Sequence, residues 1–143
     1  MARNDSRKIV NGTYGRVWVD GELWAEVDSF EAKVTITSDD VNFANDPATY
    51  QKELGWAGEG SMTIKKIHSR VQRKMAADVK QGKYPRFSIV GKVEDPGANG
   101  AERVAIHDVT ISEFMLLKFE LKTTGSEEIP FKFSDYEMID MLS

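Results

Sequence analysis

The stretch from Gly58 to Val93 limits what this chain can fold into more than any other. It reads as strand, helix, strand. From Gly60 to Lys66, Met62 and Ile64 share one face, while Ser61, Thr63 and Lys65 share the other. That period of two marks a strand with one buried face. Ser69 and Gln72 have the spacing of a capping box. Ile67, Val71, Met75 and Val79 recur every four residues, which predicts a short amphipathic helix over 69–81. Gly82 can end it in a left-handed conformation, and Pro85 prevents its continuation. Phe87, Ile89, Gly91 and Val93 then resume the strand period.

Charge is unevenly placed. The chain carries −4 overall, yet Lys65 to Arg86 holds eight basic residues against Asp78 alone. The helix therefore shows a basic face on an acidic body. The ordinary reading is a solvated helix face. The sharper one is a docking surface for an acidic partner or a second copy, built on Arg70, Arg73, Lys74 and Lys80. No aromatic side chains interleave with these cations, which weakens a nucleic-acid reading.

The flanking segments are strand-rich. Residues 1–13 read as a polar N-terminal arm that orders only against something else. Asp20-Gly21 suits a tight hairpin turn that sets Trp18 opposite Leu23 and Val17 opposite Trp24. Both faces then carry a tryptophan, so both call for cover. Phe30, Ala32, Val34 and Ile36 alternate with polar residues and are expected inward. Residues 38–57 show no sustained period and read as a long loop. One version packs on its own core with a helical turn near Pro47. The other is an arm whose Val41, Phe43, Tyr50, Leu54 and Trp56 bury against a neighbouring subunit. Gly55 to Gly60 reads as a flexible entry into the next strand.

Glu94 to Gly100 has turn chemistry. Glu102 to Ile106 is a short strand, and Val109 to Lys122 a long one with a bulge expected near Ser112-Glu113. Ile129, Phe131 and Phe133 form the last alternating strand, followed by an acidic, Met-rich tail from Asp135 to Leu142. The 143 residues thus predict a single mainly-β domain of about eight strands. Two packed antiparallel sheets, or a rolled barrel with one flanking helix, fit that inventory.

Chemistry is sparse. There is no cysteine, which removes thiol nucleophiles and cysteine metal sites. His68 and His107 sit in no metal-ligand or nucleophile motif, and Asp95, Asn99 and Glu102 lack the spacing of a calcium loop. The Gly55–Gly60 glycines precede a strand rather than a helix, so they make no dinucleotide fingerprint. No catalytic residue, cofactor or metal is assigned. No apolar run approaches bilayer length and no signal region is apparent, so folding in the cytoplasm without stable membrane association is expected.

Three stretches taken together carry a resemblance. They are Gly58-Glu59-Gly60-Ser61-Met62-Thr63-Ile64-Lys65-Lys66, Gly100-Ala101-Glu102-Arg103-Val104, and Pro130-Phe131-Lys132-Phe133-Ser134-Asp135-Tyr136-Glu137. In order and spacing the chain resembles the tail tube proteins of contractile-tailed phages and PBSX-like defective prophages of Gram-positive bacteria. These are similar to the type VI secretion tube protein. The resemblance implies homo-hexameric rings, whose sheets join into one inner barrel and which stack into a tube inside a contractile sheath. It implies a sheath protein, a tape-measure protein and a baseplate as partners, and DNA passing through the lumen without sequence-specific binding. Assembly would take place in the bacterial host cytoplasm, ending in a virion tail or phage-tail-like particle. The alternatives are another ring-forming tail or baseplate component, a closed-barrel small-ligand carrier using Trp18, Trp24 and Trp56, or an enzyme with an unrecognised carboxylate pair.

Overall fold

The structure, a computed structural model, describes residues 5–143. The start of the expected N-terminal arm, residues 1–4, lies outside the described residues. The rest of that arm makes two short 3-10 turns, Ser6–Lys8 and Gly12–Tyr14. It is tied to the body where the Asn11 amide donates to Asp95 Oδ2 at 3.0 Å. It therefore has structure within the monomer.

Eight strands and one helix follow. They are β1 (Gly15–Val19), β2 (Glu22–Leu23), β3 (Val27–Asn42), β4 (Thr49–Lys65), α1 (Arg70–Lys80), β5 (Phe87–Val93), β6 (Glu102–Ile111), β7 (Ser126–Phe133) and β8 (Asp135–Asp140). All pairings are antiparallel, in the order β2-β1-β5-β6-β7-β4-β3, with β8 paired to β6. This is a single sheet rolled on itself. Trp18 lies opposite Leu23 across the Asp20-Gly21 turn, as its chemistry predicts, and Asp20 and Gly21 both take positive φ. Trp24 is buried and Trp18 half-buried.

The strand that bends between the two halves of the roll is β6. Its first part pairs with β5 and β8, and its end pairs with β7. The change comes at Asp108, which has φ 56, where the β5 register also shifts. A bulge at this point re-aims the strand. It falls before the position expected at Ser112-Glu113, because aspartate tolerates the left-handed conformation that the kink demands. At Ser112 the chain instead leaves the sheet. The long strand expected from Val109 to Lys122 therefore divides. Val109 to Ile111 completes β6, and 112–125 is irregular.

The core lies between the two halves. Val17, Val19, Ile89 and Ile106 face Met62, Ile64, Ile129 and Phe131, and Val109 is fully buried among them. Each is where the period of two places it. Two glycines serve the packing. A Cβ on Gly60 would meet Glu31 O at 2.1 Å and the Phe131 ring, and one on Gly58 would overlap Phe133. The glycines expected as a flexible entry are thus within β4 and make room for aromatic rings.

One end of the core is covered by α1. Val71 and Met75 are buried, and Val79 packs partly against them. Ile67, the first member of the predicted stripe, lies before the helix and is exposed. The capping box does not form: Ser69 makes no side-chain cap bond. Gln72 Nε2 donates instead to Met115 O and Glu127 Oε1, because a buried carboxylate offers a stronger acceptor than the helix end. Gly82 takes φ 79, as a helix stop requires.

Two regions read as irregular are strands. Residues 38–57 are the distal half of the β3–β4 hairpin, and the acidic tail contains β8. Neither the unstructured loop nor the helical turn near Pro47 is present.

Candidate functional site

Among the described residues, no group of three or more His, Cys, Asp or Glu side chains is placed to hold a metal ion. No helix among the described residues is long and apolar enough to cross a membrane. The two buried carboxylates each serve packing. Glu127 accepts from Lys66 Nζ at 2.7 Å and from Gln72 Nε2 at 2.7 Å, joining β7 to the helix region. Glu26 accepts from Arg70 Nε. Groups that answer each other in this way offset the cost of burying charge. What remains for function is the surface, and its apolar features gather in two places.

The first is the distal β3–β4 hairpin. Directly opposed residues of an antiparallel pair share a face. Phe30, Ala32, Val34 and Ile36 therefore lie beside Met62, Gly60, Gly58 and Trp56. The sequence predicts all of β3's set as inward. Only Phe30 is covered, its ring 5.8 Å from that of Phe131. Val34 is 39% and Ile36 63% exposed, because the second half of the roll ends before it reaches them. At the tip, Phe43 packs edge-on against Tyr50 at 5.6 Å; nearer the body, Trp56 packs edge-on against Tyr136 of β8 at 5.3 Å. Val41 is half-buried opposite Tyr50, and Leu54 is 64% exposed.

Without a core, the tip is held by polar links. Ser38 Oγ donates to Gln51, Thr49 Oγ1 to Asn42, and the Tyr50 hydroxyl to Asp46 Oδ2 at 2.7 Å. The Ala48 amide also donates to Asp46. These donors hold the Asp46 carboxyl below its ordinary range, the tyrosine hydroxyl first and the amide second. The same bond raises the Tyr50 phenol. The structure thus brings Val41, Phe43, Tyr50, Leu54 and Trp56 onto one projecting hairpin. The missed signal is the even-numbered run Leu54, Trp56, Gly58, Gly60, Met62, Ile64, which continues one strand period through the supposed loop.

The second is segment 112–125. Leu116, Leu117, Phe119 and Leu121 are each more than 75% exposed, and Met115 is 40% exposed. An exposed apolar cluster of this kind marks an interaction surface. The sequence places Met115, Leu117, Phe119 and Leu121 on one face of the strand expected over 109–122, with Leu116 opposite; among the described residues, Leu116, Leu117, Phe119 and Leu121 are left uncovered.

The basic face resolves unequally. Arg70 lies over the Trp24 ring at 5.6 Å and pairs with Glu26 and Glu22, so it is spent within the fold. Lys74 sits 5.9 Å from the Phe87 ring. Lys65 pairs with Asp28, Lys66 with Glu127 and Arg86 with Asp108. Arg73 and Lys80 project into solvent with no ion-pair partner among the described residues.

The wide part of the sheet, formed by the end of β6 with β7, β4 and β3, has a wet opposite face. It carries Glu31, Lys33 and Thr35 beside Glu59, Ser61 and Thr63, with Glu128 and Lys132 on β7. A long open edge beside such a face is a template for pairing with another chain.

Known proteins are similar to this chain in sequence and in fold. The family model described as phage tail tube protein matches residues 2–140. Phage-like element PBSX protein XkdM of Bacillus subtilis (strain 168) is 30% identical over 140 residues, covering 96% of this chain and 95% of its own. The sheath/tube terminator of the extracellular contractile injection system PVC superposes with a TM-score of 0.72 at 7% identity, over 92% of this chain and 96% of that one. A chain of the PVC sheath-tube complex gives 0.68 at 6%, over 96% and 100%. A chain of the six-fold symmetrised anti-feeding prophage baseplate gives 0.61 at 4%, over 87% and 90%.

Proposed function

The chain belongs to the phage tail tube protein family, and we propose that it builds the inner tube of a contractile tail by closing into hexameric rings that stack. That it is a structural protein of a tail or tail-like particle, and not an enzyme, follows from the family. The ring and the stack are the further step. The observation that carries them is the 16-residue β3, which ends the sheet with its outer backbone groups unpaired. A monomer that exposes such an edge invites pairing, and a closed ring of copies removes every edge. Six-fold symmetry in the anti-feeding prophage baseplate is the symmetry of a fold relative, and it supports six as the number.

In this reading the wet face of the wide sheet lines the lumen. It carries Asp28, Glu31, Glu59 and Glu128 against Lys33, Lys65 and Lys132. The lining is therefore slightly acidic. A wall without net positive charge holds phosphates weakly, because few counterions are released, and DNA slides past it. The projecting hairpin reaches the next ring through Phe43, Tyr50, Leu54 and Trp56. Arg73 and Lys80 face outward toward a sheath, and Arg70 plays no part. Tape-measure and baseplate proteins complete the assembly in the host cytoplasm.

A second reading is a terminator that stops at one ring, favoured by the likeness to the PVC sheath/tube terminator. Electron microscopy of the purified protein over a concentration series separates them. Long hollow tubes are expected. Single rings that never lengthen would establish the terminator, and a monomer at every concentration would sink both.

A further inference from the structure

We infer that Met115–Leu121 becomes a strand on assembly, pairing with the open edge of β3 in a neighbouring copy. This inference rests on the ring reading and names its seam. From Leu117 the segment alternates, with Met115, Leu117, Phe119 and Leu121 on one face and Lys118 and Glu120 after Leu116 on the other, which is the pattern of a half-buried strand. The monomer leaves it irregular and exposed. Local pattern and observed state disagree here, and such a conflict points to a missing partner.

The partner is a second copy because the segment's own β3 is out of reach. The strands β7 and β4 lie between the end of β6 and β3. The segment is also tethered at both ends. The Ser112 amide donates to Pro130 O at 3.0 Å, and the Lys66 amide to Gly125 O at 2.9 Å. Topology also fits. The wide sheet runs β6-β7-β4-β3, four strands each antiparallel to the next. A continuation of β6 set against β3 of the next copy is again antiparallel, so the alternation passes unbroken around the ring.

Side chains select the register. With Phe119 opposite Val34, Leu117 faces Ile36 and Leu121 faces Ala32. On the wet face Glu120 then meets Lys33, and Lys122, at the segment's end, meets Glu31. Lys33 is available for this, since its bond to Glu59 is long at 3.7 Å and exposed. A one-residue slip turns the apolar set outward. A two-residue slip one way sets Lys118 on Lys33 and Glu120 on Glu31. The opposite slip sets Lys122 on Lys33 and Leu117 on Ser38. Beneath the β3 edge, a cavity of about 790 Å³ opens between the two halves of the roll, with Val17, Trp24 and Ala32 in its apolar lining and Arg16, Lys92 and Glu102 in its charged lining. Leu121 beside Ala32 directs its side chain into that cavity.

The chain has no cysteine, so disulfide trapping is direct. Leu117→Cys with Ile36→Cys alters two exposed positions. Oxidised assemblies are expected to give a ladder of cross-linked copies on a non-reducing gel. Rings that form without this ladder overturn the seam and leave the ring reading standing. A ladder from Leu117→Cys with Phe43→Cys instead assigns the segment to ring stacking and also overturns it. Failure to form rings at all, for the unaltered chain, overturns the ring reading and the seam together. The register has its own test. Lys33→Glu or Glu120→Lys alone should raise the concentration for half-assembly about fivefold, and the double variant should restore it. A double variant no better than the singles overturns the register.

Discussion

The base and the tip of the β3–β4 hairpin are the same strand pair with opposite fates. At the base, Met62 and Ile64 are buried and Phe30 stacks on Phe131. Toward the tip, Ile36 and Leu54 continue the period of two, yet each is more than 60% exposed. A register shift leaves Leu54 without a partner on β3, but Ile36 is exposed before that shift is reached. What differs is whether the other half of the roll lies overhead. Alternation specifies a face to be covered and leaves open what covers it. The base finds its cover within the chain, and in the tube reading the tip finds it in another copy.

The largest expected break in that comparison is at the base. Phe131→Ala removes a buried ring shared by both halves and should cost about 3–5 kcal/mol of folding stability in urea titrations. A loss under about 1 kcal/mol would mean that the base is covered no better than the tip. Gly60→Ala comes next. Its methyl meets Glu31 O and the Phe131 ring, so a cost of about 1–3 kcal/mol is expected from overpacking. The same change at Gly55, where a Cβ meets nothing within 4 Å, should be close to neutral.

Trp56→Ala sharpens the comparison from the other side. It removes a half-covered indole and its edge-on contact with Tyr136, so folding should weaken by about 1–2 kcal/mol, well below Phe131→Ala. Ring stacking, followed by sedimentation, should fall steeply. A variant that stacks normally and unfolds early would make the tip part of the monomer's core. The smallest effect is one of pH. Asp46 has its pKa lowered by Tyr50 and Ala48, so its contribution is present at neutral pH and lost as pH falls through the folded value. Tyr50 has its pKa raised, so its hydroxyl bond is lost as pH rises through the folded value. Amide exchange at Phe43–Tyr50 should quicken at both extremes while the base stays protected. Asp46→Asn should abolish the acid limb.

The sequence by itself determined the elements whose pattern is local. The period of two in β5 and β7, the Asp20-Gly21 turn and the Gly82 stop all stand where residue chemistry puts them, because each depends on neighbours within a few positions. Tertiary structure alone decided which periodic residues are covered. It also decided that Gln72 serves Glu127 instead of capping the helix, that Arg70 is consumed by Glu26 and Trp24, and that β6 bends at Asp108. Those outcomes turn on residues 20–55 positions away, or on where the second layer stops. The sheet order β6-β7-β4-β3 is of the same kind. It leaves β3 open along its length, and an open edge is a property of pairing between distant strands, which no run of adjacent residues encodes.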